Sequence, residues 1–383
     1  MANNNKHTGP NVPALRFPEF SGEWEKVSLQ DCCSGFSYGM NAPAKAYDGV
    51  NKYIRITDID ESTSIYKSDD TVSPDGLLSD EYLVKENDIL FARTGASTGK
   101  TYLYHKEDGR LFYAGFLIKA NVNNNCAPYF IFSQTKTQSY RRWVEIMSAR
   151  SGQPGINSQE YASFPLYIPS EKEQEKIALL LRGLDERIIV QSKIIEEQET
   201  LLKSLADKLF NTLDTVTKLH LSDISELYQP KTIPLSNLSS KGYPVYGANG
   251  IIGSYKNFNH TTEQICIACR GSSCGSVNYT VPKAWITGNA MVVNTDNYSN
   301  IIDKRYLYYY LRRINYSALI SGSGQPQIVR APLANLIIPV STLEKQKHVV
   351  LILDTVGQIL GTNKIILQHY KNQKAYLLSR MFI

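Results

Sequence analysis

The sequence predicts an α+β fold of two tandem domains, each followed by a long helix, with the two helices pairing as an antiparallel coiled coil. Three observations support this prediction. An apolar heptad pattern occurs twice, a serine–glutamate pair precedes each copy, and a mixed segment rich in short strands lies upstream of each. The chain is therefore interpreted as an internal duplication.

The heptad pattern defines the two helices. Apolar residues recur at alternating steps of four and three, which is the spacing of a coiled-coil seam. The copies match at a constant offset of 172 residues, as between Ile195 and Leu367. Equivalent polar positions, Gln191 and Asn363, are expected to fix the register. The positions predicted to pair are Ile177, Leu181, Leu184, Ile188, Ile195 and Leu202 in the first helix, and Leu353, Val356, Leu360, Leu367 and Leu377 in the second.

Each helix has a predicted start. Ser170 with Glu173, and Ser341 with Glu344, have the spacing of a capping box. A helix of about 40 residues would be a rod of roughly 60 Å. Because one such rod cannot bury its seam alone, the two helices are expected to pair with each other. The alternative is that each helix packs only on its own domain.

The segments upstream of the helices are repeated more loosely. Asp88–Gly99 aligns without a gap on Gln264–Gly275, and the Gln-Pro dipeptide at Gln153 answers that at Gln325. Short apolar runs between glycine, proline and asparagine predict an α+β domain in each copy. The predicted strands are 53–59, 88–93, 112–120 and 164–168 in the first copy and 265–270 and 291–294 in the second, with helices at about 128–149 and 304–320.

A length of 383 residues is too great for one typical domain and suits two domains plus the helices. The predicted boundaries are a flexible tail at 1–13, a first domain at 14–169, a first helix at 170–213, a second domain at 214–340 and a second helix at 341–383.

Composition limits the class of protein. A net charge of +5 permits nucleic-acid binding without requiring it. No apolar run approaches the roughly 20 residues of a membrane span, and the polar start is not a secretory signal, so a cytoplasmic protein is expected, without membrane contact. Six cysteines show no disulfide framework, which is consistent with a reducing compartment.

One segment resembles a phosphate-binding loop. Gly95-Ala-Ser-Thr-Gly99-Lys100 is one residue short between its glycines and precedes a predicted strand, whereas a phosphate loop opens a helix. The second copy has Ser276 in place of Lys100. Nucleotide binding is therefore not predicted.

A zinc site is the other candidate. Cys266, Cys269 and Cys274 lie near His260, but Cys266 falls in a predicted strand and the first copy has no cysteine at the three positions. No metal-dependent nuclease motif and no Ser/His/Asp set stands out either. We therefore predict a non-catalytic protein without a metal or cofactor of its own.

Basic residues in both domains stand beside aromatic and amide residues, as suits contacts to phosphates and base edges. The alternative for each cluster is an exposed face without function, and for the Gln-Pro turns it is a structural joint. Arg93 has Cys269 as its counterpart, so readout should not be transferred between domains. The candidate DNA-binding residues are Lys52, Arg55, Arg93, Thr94, Ser97, Lys100, Arg141, Gln153, Arg270, Ser272, Ser273, Arg312 and Gln325.

Several motifs together resemble the specificity subunits of type I restriction–modification systems. They are Leu15-Arg-Phe-Pro, Trp24-Glu-Lys-Val-Ser-Leu, Tyr53-Ile-Arg-Ile-Thr-Asp-Ile, the paired Arg-Thr-Gly and Cys-Arg-Gly turns, Tyr243-Pro-Val-Tyr-Gly-Ala-Asn-Gly, Gly324-Gln-Pro-Gln-Ile and the two helices. The resemblance extends from about Leu15 to the end of the chain. Each motif is moderately specific, while their order and duplication are more so.

The resemblance implies two target recognition domains, each reading one half of a split double-stranded DNA sequence. It implies that the helices act as a spacer and dock two methyltransferase subunits, which bind S-adenosylmethionine, and that up to two restriction subunits join for cleavage. A fixed spacer imposes a fixed gap between half-sites. Because the two domains differ, the target is expected to be asymmetric.

Two other functions remain open from the sequence. A structural or adaptor protein, with two protein-binding arms on a coiled coil, would show little DNA affinity and weak salt dependence. The specificity portion of a stand-alone restriction–methylation enzyme would need catalytic domains in the same chain. The target bases, the spacer length, the choice between restriction and methylation alone, and recombination at the locus are not predicted.

Overall fold

The computed structural model describes residues 11–149, 152–214, 216–322 and 324–383. It has the predicted α+β class and the two long helices. The chain forms two compact units: the first is the chain up to Lys193 together with Ile365–Ile383, and the second is Ile194–Lys364. Of the predicted tail at 1–13, positions 1–10 lie outside the described residues.

The first unit contains short strands and helices that precede the first long helix. Its strands are β1 Glu25–Ser28, β2 Cys33–Tyr38, β3 Ala44–Ala46, β4 Lys52–Ile54, β5 Val72–Pro74, β6 Asp88–Ala92, β7 Thr101–Leu103, β8 Leu111–Tyr113, β9 Leu117–Val122 and β10 Pro165–Ile168. Its helices are α1 Pro128–Gln134, α2 Gln138–Met147 and α3 Ser158–Ala162.

A four-stranded antiparallel sheet in the order β2-β9-β6-β7 organises this unit. All five residues of β6 are buried, and the four after Asp88 form a continuous apolar run. The main core joins this sheet to Trp24, Phe130 and Tyr161. Strands β1 and β10 pair antiparallel, so the two ends of the domain meet where the long helix begins.

The second unit repeats the arrangement. Its strands are β11 Thr217–His220, β12 Glu226–Tyr228, β13 Tyr243–Gly247, β14 Gly250–Tyr255, β15 Ile265–Ala268, β16 Val277–Tyr279, β17 Trp285–Ile286, β18 Ala290–Asn294 and β19 Ile337–Val340. Its helices are α5 Lys304–Arg313 and α6 Arg330–Ala334. The sheet order is β12-β18-β15-β16, with β11 and β19 paired as β1 and β10 are.

The long helices are α4 Glu171–Asn211 and α7 Leu343–Met381. In the first unit, Lys374 Nζ lies 2.5 Å from Asp185 Oδ1, and Met381 shares a core with Ile177. In the second unit, the side chain of Lys364 lies 2.6 Å from that of Glu199, and Asn363 Nδ2 donates to Gln198 Oε1 at 3.0 Å. The antiparallel pairing thus occurs within each unit.

Most residues of the predicted seam are buried: Ile177, Leu181, Leu184, Ile188, Ile195, Leu202, Leu353 and Leu360. Val356, Leu367 and Leu377 are half-buried, and Leu378 is buried beside Leu377. Near the end of α4, where the heptad pattern continues at Leu205 and Leu209, the buried residues are Ala206 and Phe210, each one position later. A straight helix has 3.6 residues per turn, so a strict heptad drifts off the buried stripe.

The predicted capping boxes are wrong in detail. The Glu173 carboxylate accepts from Nε and Nη2 of Arg16, each at 2.7 Å, instead of returning to the helix start. At the second helix, the Thr342 hydroxyl accepts from the Lys345 amide, while Ser341 Oγ is buried without a partner. The cap of the second helix therefore lies at Thr342, one residue later than predicted, whereas α4 begins directly after Ser170 as predicted.

Some predicted elements are divided. The predicted strand 112–120 is two strands, β8 and β9, separated by a turn. The predicted helix 128–149 is interrupted because Thr137 accepts from the Tyr140 amide and starts a new helix. The predicted helix 304–320 ends at Arg313, since Ile314 has an extended backbone. The predicted strand 53–59 also ends early, at Ile54, because Ile56–Asp58 form a 3-10 helix.

The expectation that no segment approaches a membrane span also needs correction. Helix α7 is long and apolar enough to cross a membrane, judged by length and composition alone. Its most apolar window has a mean hydropathy of 1.4. Its apolar content has two sources: seam residues such as Leu353, buried within their own units, and exposed residues such as Leu351.

Candidate nucleic-acid interface

In the first unit the glycine turn and the Gln-Pro segment form one composite loop, defined as residues 93–99 with 153–156. The Gly95 amide donates to the Pro154 carbonyl at 2.9 Å, and the Ile156 amide donates to the Arg93 carbonyl at 2.9 Å. A Cβ atom on Gly95 would lie 3.2 Å from Gln153 Nε2. The structure thus joins segments that are about 60 residues apart in sequence.

The second unit contains the same composite loop, residues 269–275 with 325–328. The Gly271 amide donates to the Pro326 carbonyl at 3.0 Å, and the Ile328 amide donates to the Cys269 carbonyl at 3.1 Å. These are the equivalent residues of the first loop. The duplication therefore preserves the backbone geometry of the loop while its side chains differ.

Glycine is required at the end of each turn. Gly99 has φ +89° and Gly275 has φ +92°, a backbone conformation that residues with a side chain rarely adopt. A Cβ atom would lie 2.6 Å from Val144 Cγ1 at Gly99 and 2.9 Å from Tyr316 Cβ at Gly275. Each turn consequently packs directly against its own domain.

Two buried tyrosines hold the first turn. The Tyr161 hydroxyl donates to the Ala92 carbonyl at 2.7 Å and accepts from the Gly99 amide at 3.1 Å. The Tyr140 hydroxyl donates to the Gly99 carbonyl at 3.1 Å. Burial raises the pKa of both tyrosines above the ordinary value, so both remain neutral donors. Sequence reasoning missed these residues, because their spacing in the chain carries no signal.

Arg93 lies at the exit of β6 in a preorganised position. Its guanidinium carbon lies 4.9 Å from the centroid of the Tyr38 ring, and the Tyr38 hydroxyl accepts from the Ser158 amide at 3.1 Å. Burial opposes ionisation of Tyr38, but the hydrogen bonds from Ser158 and the charge of Arg93 outweigh it, so the pKa of Tyr38 is lowered. The Nε atom of Arg93 is buried without a partner.

A cleft of about 610 Å³ opens beside Arg93. Tyr38, Asn41, Thr57 and the exposed ring of Phe116 line it, together with Arg55. The combination of exposed aromatic rings, amide and guanidinium groups suits contacts to nucleic-acid bases.

Two of the predicted DNA-binding cations, Arg55 and Lys100, are already paired with carboxylates. Arg55 contacts Asp58 at 2.8 Å and Asp70 at 3.2 Å, and the hydrogen bond that Arg55 donates to the Asp58 carboxylate is the main cause of its raised pKa. Lys100 Nζ lies 3.4 Å from Glu61. Both cations would have to exchange these partners for phosphates. The loss of the carboxylate contacts reduces the free energy that each cation would contribute to DNA binding.

The predicted residues other than Arg55 divide into two groups by their place in the fold. Those in or directly beside the composite loops are Arg93, Thr94, Ser97, Lys100 and Gln153 in the first unit and Arg270, Ser272, Ser273 and Gln325 in the second. Lys52 in β4, Arg141 in α2 and Arg312 in α5 lie outside the loops. Lys52 Nζ lies 5.8 Å from the centroid of the Tyr66 ring, and the Arg312 guanidinium lies 5.5 Å from that of Tyr308.

Two of the cysteines and the histidine of the zinc candidate are engaged elsewhere in the domain. Cys266 is buried in β15, Cys269 Sγ accepts from Gln229 Nε2 at 2.9 Å, and His260 bonds to the Tyr228 hydroxyl at 2.9 Å. Within the part of the chain that the structure describes, no three His, Cys, Asp or Glu residues are grouped as metal ligands.

The fold and the loops define a duplicated protein: two α+β domains, each presenting a composite loop and each continuing into a long helix. The sequence model described as "Type I restriction modification DNA specificity domain" matches twice, at residues 21–200 and 214–369. The chain belongs to this family, and its domains are DNA specificity domains.

Curated relatives include a putative type I restriction enzyme specificity subunit of Haemophilus influenzae, 31% identical over 33% of both chains. The EcoprrI specificity subunit of Escherichia coli is 31% identical over 32% of this chain and 29% of its own. These matches therefore span a third or less of either relative. The MjaVIII specificity subunit of Methanocaldococcus jannaschii is 22% identical over 70% of this chain and 71% of its own.

Two solved structures share the fold. The specificity subunit of a type I restriction–modification system from M. genitalium superposes with a TM-score of 0.70 over 97% of this chain and 99% of its own, at 18% identity. A chain from a study of complex assembly and conformational transition of the type I system gives a TM-score of 0.51 over 94% and 97%, at 16% identity.

Proposed function

We propose that this chain is the non-catalytic DNA-recognition subunit of a type I restriction–modification complex and that it reads an asymmetric bipartite target. Each composite loop is presented by its own domain, so each domain would read one half-site. The observation that carries the proposal is the recurrence of one loop geometry with different side chains, such as Arg93 against Cys269. Equal frameworks with unequal side chains favour two different half-sites.

The paired helices would act as the spacer between the half-sites. Within each unit the helices pair through buried apolar residues and through ion pairs such as Lys374–Asp185. A helix of 41 residues spans roughly 60 Å, which imposes a fixed gap if it remains straight. The gap should then have one length.

The same helices would dock two methyltransferase subunits and, in a restricting complex, up to two restriction subunits. Apolar side chains on their outer faces support this proposal: Leu179 is 73% exposed and Leu351 is 66% exposed. Exposed leucines of this kind mark contact surfaces when they cluster on one face. The partner subunit would bind S-adenosylmethionine and carry the catalytic groups, and the complex would act on DNA in the cytoplasm.

The experiment is to express the chain with its methyltransferase partner in a host that lacks adenine and cytosine methylation, and to map modified bases across the genome. The expected result is one split motif with unequal halves and a constant gap. A complex that forms but modifies no motif, and that binds DNA weakly with little dependence on salt, would favour the adaptor alternative.

A further inference from the structure

Each long helix has a buried glutamine in its first turn, Gln174 in α4 and Gln346 in α7. The side chains are 2% and 0% exposed. The two positions obey the same offset of 172 residues as the helix seams. A buried amide is costly unless both its oxygen and its nitrogen find partners, so the partners indicate what the residue does.

In the first unit, Gln174 joins three elements. Its Oε1 accepts from the Ala127 amide at 3.1 Å, and its Nε2 donates to the Pro169 carbonyl at 3.0 Å. Ala127 is the N-cap residue of α1, and Pro169 lies between β10 and α4. One side chain therefore links the long helix, the strand that leaves the domain and the first helix of the domain.

The second unit repeats these bonds. Gln346 Oε1 accepts from the Asp303 amide at 2.7 Å, and Nε2 donates to the carbonyls of Ser341 at 2.8 Å and Ile301 at 2.9 Å. Asp303 is the N-cap residue of α5, which corresponds to α1 in the first unit. The same three kinds of element are joined by the same amide.

Other polar contacts at the two junctions are not equivalent. In the first unit Arg16 binds Glu173, whereas the counterpart of Glu173 in the second helix is Lys345, which pairs with Asp214. In the second unit, Arg305 forms an ion pair with Asp354 at 2.5 Å. The glutamine bonds thus recur where neighbouring contacts have changed. This pattern indicates a requirement for common geometry rather than for stability alone, which any of these contacts could supply.

We propose that Gln174 and Gln346 are positioning residues that fix the orientation of each recognition domain on its helix and thereby the length of the gap between the half-sites. This inference rests on the proposed function. The rest of each junction includes apolar contacts, such as Ile177 and Leu181 in the first unit, and these resist sliding and rotation poorly because burial is non-directional. The two amide bonds supply the directional restraint.

The test uses the complete chain in complex with its methyltransferase partner and DNA duplexes that carry the genomic motif with its gap unchanged, one base pair shorter or one base pair longer. Gln174→Met and Gln346→Met preserve side-chain length but lose both bonds. Gln174→Glu keeps an acceptor for the Ala127 amide. Gln30→Met, at an exposed position of the first unit, is the control.

We expect wild type and Gln30→Met to methylate only the duplex with the natural gap. Gln174→Glu should retain most of this preference. Each Met variant should raise the rate on altered gaps relative to the natural gap at least tenfold. If a Met variant fails to assemble, Gln174→Asn, which is one methylene shorter and cannot reach both partners, gives the same comparison. Unchanged gap preference, or an equal loss of rate on all three duplexes, would overturn the inference.

Failure of the proposed function gives a different result. In that case the wild-type complex modifies no split motif at all. A wild-type motif with a constant gap, combined with Met variants that retain the strict gap, refutes the positioning role alone.

Discussion

At the scale of single residues, the composite loops depend on close approach. Gly99 lets the first turn pack against Val144, and Gly275 lets the second turn pack against Tyr316. The Tyr161 hydroxyl forms hydrogen bonds with the backbone of the first turn. The candidate DNA-contacting side chains are thus held on a rigid support. Rigid placement of contact residues lowers the entropy lost on binding.

Substitution of Gly99 tests this support. Gly99→Ala should lower the free energy of unfolding by about 2–4 kcal/mol, since it adds a positive-φ penalty to a clash with Val144. Gly49→Ala is the matched control, because φ is +87° but nothing lies within 4 Å of the added atom. It should cost about 1 kcal/mol. Urea denaturation measures both, and equal costs would contradict direct packing of the turn.

Lys136 gives a pH-dependent prediction. Its Nζ donates to Thr101 Oγ1 at 2.6 Å and Ser64 Oγ at 2.8 Å, and burial is the main reason that its pKa lies well below the ordinary value. Between the folded pKa and the unfolded pKa of about 10.4, the unfolded chain binds more protons, so stability rises with pH.

The measurement compares unfolding free energies of wild type and Lys136→Met from pH 7 to pH 10. The difference, wild type minus variant, should increase with pH over this range. Lys106→Met, at an exposed lysine, is the control and should show no such trend. A constant difference for Lys136→Met would show that this lysine is not enclosed.

At the scale of elements, α4 and α7 each contribute residues to both compact units. Their heptad patterns predicted both helices correctly. Near the helix ends the buried positions lie one residue away from the heptad positions, because a straight helix has 3.6 rather than 3.5 residues per turn. Shorter elements were predicted less well. Thr137 restarts a helix by a side-chain bond that helix periodicity does not contain.

Proline at Ile195 tests the continuous helix. Ile195 is a buried residue in the interior of α4, so Ile195→Pro removes a backbone hydrogen bond and costs about 3 kcal/mol or more. Assembly with the methyltransferase should be lost, as measured by size-exclusion chromatography of the co-expressed complex. Ile195→Ala retains the helix and should assemble. Assembly of the proline variant would refute the coiled-coil spacer.

At the scale of the whole molecule, each domain is closed by a strand pair next to its long helix, β1 with β10 and β11 with β19. Replacement of residues 14–168 by the corresponding segment of another family member should therefore exchange one complete domain. We expect the mapped motif to change in one half-site and retain the other half-site. A change in both halves would argue against one domain reading one half.

The duplication, the α+β class, the two helices and the family follow from the sequence, because heptad spacing and repeated motifs are local and periodic. Three-dimensional packing was needed for the rest. It places the Gln-Pro segment on the glycine turn, commits Arg55 to two carboxylates, and joins Gln174 and Gln346 to amides some 45 residues away. Such contacts depend on side chains meeting across distant segments, and spacing along the chain holds no record of which distant groups will satisfy a buried amide or charge.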